Sequence, residues 1–531
     1  MAPVANLSPS RTTSGSDHPA KRQKLGLTTG NDAITTSNKG AVTEKELAAL
    51  DDDELANASS TDGKKKKDEE RAARSAALEI PGVVPESEWA DLPSVLNARP
   101  KPPRVDFRTG LFLAPMVRSG HLPTRLLSLQ YGADLVWGPE IVDRAIMGCE
   151  RVVNETTGIV AFIKDDKEVF TTHPIEKSRV IFQLGSANPQ WAYAAIKRLT
   201  AHDDVAGVDL NCGCPKPFST IGGMGAHLLS TPDLLCDVLR AMRRAAPPHV
   251  TVSCKIRLLP TKEATQALVR QIIRTGCIEN LTVHCRTKEM RPREAALPNR
   301  LQEVAEVVAE ETGGALPLCC NGDAWDAKEA QSLMQLTGVK SIMIARGAEA
   351  NPSCFHPDGV RSITAEVAPQ MVRYAAAVEN AFPNTKFCLS QLAYKSTSSF
   401  NPKAKPLKNS PNKREMINFR EALAKSKSDE DLALVFGVDL DQVKNTSMAD
   451  ILRPVKEALE KKQIARPAEE PASTTKRDAI DIAHVQAASA KESIRHTEND
   501  TERSAEALGA EGSHRTLEHS AAARWTEAFW S

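Results

Sequence analysis

The 531-residue chain has no charge excess, since 68 Lys and Arg balance 68 Asp and Glu. A global electrostatic pull toward nucleic acid or a membrane surface is thereby excluded, and any such surface has to be local. No apolar run reaches the roughly 18 residues of a membrane span, and no secretory-type leader opens the chain. The 11 cysteines form no CxxC pair and no second Cys/His cluster, so neither a zinc site nor a dithiol redox motif is expected. Cys254 in TVSCKIRL, and Cys319 and Cys320 in LPLCCNGD, sit in apolar runs and read as small packed hydrophobes. The expectation is a soluble, intracellular, reduced protein, monomeric, with no metal and no membrane partner.

Three compositional zones follow. Residues 1–103 are rich in Ser, Thr, Ala and charge, bury too little to offset ordering entropy, and are expected to be disordered. Within them PAKRQKL and GKKKKDEE read either as import or RNA-contact signals or as plain solvated charge. A cytoplasmic and/or nuclear location rests on them, and few Arg argue against a mitochondrial leader. Residues 467–531 are expected to be a second disordered tail.

What is present lies between. Eight short apolar, β-branched-rich runs recur: LFLAPMV, LVWGPEIV, VIFQLG, GVDLNCG, TVSCKIRL, NLTVHCRT, LPLCCNGD and SIMIARGA. Such runs fit strands buried on both faces of a parallel sheet. Most gaps hold amphipathic segments, such as KEATQALVRQIIRTG with Gly276 as its stop. Eight β–α repeats over about 250 residues have the rhythm of an α/β (β/α)8 TIM barrel, expected over 104–355. A doubly wound sheet is the alternative. Arg151–Ser178 interrupts the pattern as a polar insertion, expected to be a hairpin.

Polar residues gather where these strands end: Pro115 and Met116, Gln183, Asn211, Lys255 and Arg257, His284 and Arg286, Asn321–Gly322–Asp323, and Ala345–Arg346. A polar group in an apolar strand is costly without a partner, and a single His284 would read as a satisfied core residue. A ring of them points to one site at the C-terminal mouth. The small NGD and ARGA loops after runs seven and eight, with Arg346, suit a phosphate. Lys255 would place a cation beside an electron-rich ring such as a flavin, and Gln183 offers both donor and acceptor to its imide edge.

DLNCGCPK holds Cys212 and Cys214 two positions apart. Cys212 extends a strand, whereas Cys214 lies in a loop stiffened by Pro215. Its thiol, with an ordinary pKa near 8.5, would be protonated at neutral pH and able to donate to a carbanion-like carbon. The plainer reading is an inert loop thiol.

In order, LAPMV, QLGS, DLNCGCPK, GGMGAHLL, CKIRL, VHCRTKEMRPREAA, CNGD and ARGAEANP resemble the tRNA-dihydrouridine synthases over about Leu111–Arg466. RTKEMRPRE and FSTIGGMGA suggest the eukaryotic, fungal-like branch acting on uridine 20 of the tRNA D-loop. The resemblance implies FMN, NADPH or NADH as reductant, and tRNA as partner. It implies Cys214 as the proton donor and Asn211 and Arg286 at the uracil edge. FMN contacts would come from Pro115, Met116, Gln183, Lys255, His284, Asn321, Gly322, Asp323, Ala345 and Arg346. Two positions depart from the pattern: Cys212 stands where Met is common, and Ala345 where Gly is. The double-stranded-RNA-binding domain of animal relatives has no counterpart in the C-terminal tail.

Residues 356–466 read as a smaller helical domain expected to bind tRNA. Helices are expected over ITAEVAPQMVRYAAAVENAF, LSQLAYKSTSS, MINFREALAKSKSDEDLALVFG and SMADILRPVKEALEKKQ. Between Lys395 and Lys427 the net charge is +7, with Lys403, Lys405 and Lys408 central, a patch able to follow a phosphate backbone. Two rival readings are an FMN barrel reductase of a free pyrimidine and a non-catalytic RNA-binding scaffold.

Overall fold

The structure, a computed structural model, describes residues 105–394 and 413–465. Eight strands close a parallel barrel: β1 (Gly110–Leu113), β2 (Leu135–Val142), β6 (Val180–Gly185), β7 (Gly207–Cys212), β8 (Thr251–Arg257), β9 (Asn280–His284), β10 (Leu318–Asn321) and β11 (Ser341–Ile344). β11 pairs with β1 from Gly110↔Ser341 to Leu113↔Ile344 and so seals the ring. The barrel leaves no edge, and the doubly wound alternative falls with it.

Each apolar run is continuous because its strand is covered on both faces. Outward residues such as Val208, Leu210 and Cys212 pack under the helix shell, in one cluster with Val238, Leu239 and Met242 of the helix Pro232–Ala245. Inward residues form a second cluster at the floor, with Phe107, Phe112, Trp137, Ile181 and Met343. Phe112 and Trp137 lie 5.7 Å apart, and Phe107 stands edge-on to Phe112 at 6.4 Å, a spacing typical of aromatic pairs. The floor is therefore apolar and plugged, which leaves the polar inward residues to the upper barrel.

The insertion after β2 is not a hairpin. It is a three-stranded antiparallel sheet of β3 (Glu150–Val153), β4 (Val160–Lys164) and β5 (Lys167–Thr172). Phe162 and Phe170 are buried against the barrel, and an added strand buries them better than a lone two-stranded ribbon would.

The helices after the barrel also differ in detail from the sequence reading. Ile363–Val367 forms a π turn before the helix Ala368–Ala377, and the next helix runs Phe382–Gln391, earlier than expected. The long helix expected over Met416–Gly437 is two, Lys413–Lys425 and Asp429–Phe436. Ser428 ends the continuity because its side chain caps the second helix at the Asp431 N–H. The segment docks on the barrel through Tyr374 Oη, which donates to Gln130 Oε1 at 2.6 Å, and through Lys462 with Asp134 at 2.7 Å. The two expected tails and Lys403, Lys405 and Lys408 lie outside the described residues. No described helix is long and apolar enough to cross a membrane.

Candidate active site

The barrel mouth is built in layers. Just above the floor, β7 aims Asp209 inward, fully buried. Ser253 Oγ donates to Asp209 Oδ1 at 2.6 Å and Gln183 Nε2 to Oδ2 at 2.8 Å. Burial pushes the Asp209 carboxyl up to about 6, against the pull of these two bonds. Gln183 thus spends an amide N–H on Asp209, which orients the group that the sequence reading left open to either bonding role.

One layer higher stand Lys255 and Arg257 of β8 and His284 of β9. Burial, followed by repulsion from Arg257, lowers Lys255 to about 8. Burial and four nearby cations drive His284 far below its ordinary value, so the ring is neutral. Arg286 Nη1 approaches His284 Nε2 at 3.1 Å. A guanidinium only donates, so Nε2 accepts and the ring proton sits on Nδ1.

Opposite them the loops after β10 and β11 enclose a cavity of about 150 Å³ that includes Arg257, His284, Arg286, Asn321, Asp323 and Arg346 in its wall. Asp323 Oδ1 accepts from both Arg286 and Arg346, while Oδ2 accepts from Ala296 N at 2.7 Å. Three guanidinium groups facing one carboxylate leave the cavity cationic, which suits an anion such as phosphate. Arg346 also stacks over Trp325 at 5.2 Å. Gly347 is required there: a Cβ would lie 2.2 Å from the Trp325 carbonyl oxygen.

The two cysteines separate because β7 ends at Cys212: alternation alone would give both the same facing, and the turn that follows breaks it. Cys212 points outward and is fully buried beneath the helix shell. Cys214 stands two residues on, half-buried at the mouth, and is the one cysteine of the eleven that is not buried. Asn211 Oδ1 accepts from the N–H groups of Gly213 at 2.9 Å and Cys214 at 3.0 Å, folding the loop into an Asx turn. Arg257 Nε donates to Gly213 O at 2.6 Å and ties that loop to β8. Below it, Gly225 adopts φ +59 within 2.6 Å of the Cys214 carbonyl oxygen, measured from an ideal Cβ, so only glycine fits. Burial raises the Cys214 thiol to about 11, with the charge of Glu140 the next cause.

Of the residues expected at the site, His284, Arg286, Asn321, Gly322, Asp323, Ala345 and Arg346 line the one cavity. Lys255 and Gln183 sit beside it in the lumen, and Pro115 and Met116 are half-buried in the loop after β1. Arg286 is engaged with His284, Asp323 and the Glu294 carbonyl, whereas Asn211 belongs to the cysteine loop. Two further residues belong here. Arg257 was legible only as one more polar strand end. Glu140 carried no signal: it lies inside LVWGPEIV, and only the bulge between Trp137 and Glu140 turns it into the lumen.

Comparison with known proteins now adds to this geometry. The family model for Dihydrouridine synthase (Dus) matches residues 112–435. This chain belongs to the dihydrouridine synthase family. A Schizosaccharomyces pombe protein named tRNA-dihydrouridine(20) synthase [NAD(P)+] is 45% identical over 295 residues, 54% of this chain and 60% of that relative. A Saccharomyces cerevisiae protein of the same name is 40% identical over 308 residues, 54% of this chain and 78% of the relative. A Mus musculus protein named tRNA-dihydrouridine(20a/20b) synthase [NAD(P)+]-like is 31% identical over 266 residues, 49% of this chain and 75% of its own length. The match thus spans about three fifths of the first relative. For a Dus-family chain, the barrel, the cationic cavity and the cysteine loop are the parts on which chemistry has to be built.

Proposed function

We propose that this chain reduces the uracil C5–C6 bond of uridine 20 in the tRNA D-loop to dihydrouridine, using FMN and NADPH or NADH. The observation that carries the reading is the mouth itself, where a protonated thiol at Cys214 faces the same lumen as a cationic, phosphate-sized cavity. FMN fits that donor set: Arg346, Ala345 and the Asn321–Gly322–Asp323 loop would hold its phosphate, and Pro115, Met116, Gln183, Lys255 and His284 the remainder. When bound, it supplies a hydride for uracil C6.

The chain's own residues would do the rest. Cys214 keeps its proton at neutral pH and delivers it to C5 as the carbanion-like carbon forms. Asn211 holds the thiol's loop at the mouth, and with Arg286 would meet the uracil edge. The target base must leave its stack to reach the lumen. Val117 in the loop after β1, and Phe218 and Ile221 in and just past the short helix Pro217–Thr220 after β7, are 45%, 44% and 74% exposed and offer apolar surface to an extruded base. Lys403, Lys405 and Lys408 are proposed to follow the tRNA backbone. Neutralising all three is expected to weaken tRNA binding and flatten its salt dependence; unchanged binding across several salt concentrations would remove them from the interface. A cytoplasmic or nuclear location is part of the same proposal and rests on the basic N-terminal runs.

The deciding experiment incubates purified protein with FMN, NADPH and unmodified tRNA and looks for dihydrouridine by mass spectrometry. Its absence from flavin-loaded protein overturns the reading, and turnover of free uracil instead would favour a small-pyrimidine reductase. Arg346→Gln is expected to weaken FMN binding by on the order of tenfold, as the loss of a charge-assisted hydrogen bond implies. Flavin-fluorescence quenching measures it.

A further inference from the structure

Among the described residues Glu140 is the one carboxylate that reaches the cysteine loop from another strand, through an irregularity in β2. Along β2, Leu135 and Trp137 face the barrel lumen and pack in its floor cluster. Plain alternation would then turn Ile141 inward and Glu140 outward. The register with β6 shifts by one residue, from Trp137↔Ile181 to Glu140↔Gln183. The extra residue reverses the alternation: Ile141 joins the outer core, and Glu140 enters the lumen.

There its Oε1 accepts from Ser219 Oγ at 2.8 Å. Ser219 is fully buried beneath the cysteine loop. The Cys214 thiol and the Asn211 amide are the carboxyl's other polar neighbours, neither bonded to it with good geometry. Oε2 is buried and makes no bond of good geometry, although a buried carboxylate oxygen ordinarily has a partner. A cradle made of a serine, a thiol and the asparagine that folds the thiol's own loop is more than packing requires.

We propose that Glu140 is a positioning residue for Cys214: its carboxylate takes the hydrogen bond of the thiol, aims Sγ across the mouth and keeps the proton on sulfur until a substrate carbon removes it. The inference rests on the proton-donor role given to Cys214 above. It involves no redox step, because the proton only stays on sulfur or leaves it. The charged groups facing this thiol are Glu140 from β2, Lys216 from its own loop, and Lys255 and Arg257 from β8. The three cations favour the thiolate. Glu140 opposes them, together with burial.

The sign follows. A proton donor is lost as pH rises through its pKa, so Glu140 extends the protonated range upward. The test uses the full chain and needs no tRNA. Iodoacetamide labels the thiolate, and Cys214 is the one partly accessible thiol, so the pH dependence of labelling is read by mass spectrometry. In the wild type the labelling midpoint is expected near the raised value of about 11. Glu140→Gln keeps the shape and removes the charge, and labelling at pH 8 should rise by on the order of tenfold, the equivalent of one pKa unit. Its dihydrouridine rate should fall away at lower pH than that of the wild type, with flavin binding unchanged. An unshifted labelling profile in Glu140→Gln overturns the proposal. So does a wild-type midpoint near that of a free thiol, a result that stands even if the variant folds poorly. A shifted profile in a protein that makes no dihydrouridine would leave the Glu140–Cys214 pair standing and sink the reading of the reaction instead.

Discussion

Cys214→Ala is expected to lower dihydrouridine formation by roughly a hundredfold to ten-thousandfold, the usual worth of a positioned acid. Cys212→Ala should leave the rate nearly unchanged. The contrast comes from where the side chains point. Cys214 is half-buried at the mouth beside Glu140, whereas Cys212 is fully buried among Cys236, Cys254 and the outer helices. Removing the Cys212 sulfur instead leaves a small cavity under the helix shell, at a cost of about 1 kcal/mol in stability. Dihydrouridine counted in digested tRNA, with a urea melt alongside, checks both. Equal losses of activity in the two variants would mean that the loop, and not one thiol, is what matters.

Glu176→Ala should produce the largest loss of stability, about 3–5 kcal/mol, the range for breaking a buried ion pair from one side. Arg125 and Glu176 are 1% and 0% exposed. Glu176 takes Arg125 Nη2 at 2.7 Å and Nε at 3.0 Å, and Thr172 Oγ1 at 2.8 Å. Arg125 also donates to the carbonyls of Gly120 and Thr171, both at 2.6 Å. One guanidinium thus fastens the loop after β1 to the end of the inserted sheet. Without Glu176 it stays buried with its charge unmatched. Arg125→Met combined with Glu176→Leu should cost much less than Glu176→Ala alone, because no lone charge is left behind. Chemical denaturation of the three proteins measures this, and a single-variant cost below about 1 kcal/mol would show that the pair can be solvated after all.

Much of the architecture was legible in the chain. Strands buried on both faces must be apolar throughout, so β2 and β6 could be read to the residue as LVWGPEIV and VIFQLG. One helix end was legible in the Gly276 that follows KEATQALVRQIIR, which takes φ +67 just past the helix Lys262–Arg274. The mouth residues could be gathered because a barrel sends the ends of all its strands to one place, so that polar strand ends far apart in sequence share a site. His284, Asn321 and Arg346 meet for this reason.

What the linear pattern could not carry was whatever depends on a count of residues across two strands or on a partner far along the chain. The inserted sheet was read as a hairpin because its first strand, ERVV, is four residues long and mostly exposed, so it carries no apolar run to announce it. Asp323 read as part of a phosphate loop, and only the fold shows that it bridges Arg286 and Arg346. Composition and order by themselves determined a chain without net charge, with eight buried strands and a polar mouth. DLNCGCPK already put Cys214 in the loop after β7, whereas tertiary structure alone decided which carboxylate stands beside it. The reason is that a strand's facing has a period of two, so a single extra residue in β2 brings Glu140 inward to meet Ser219, 79 positions further on.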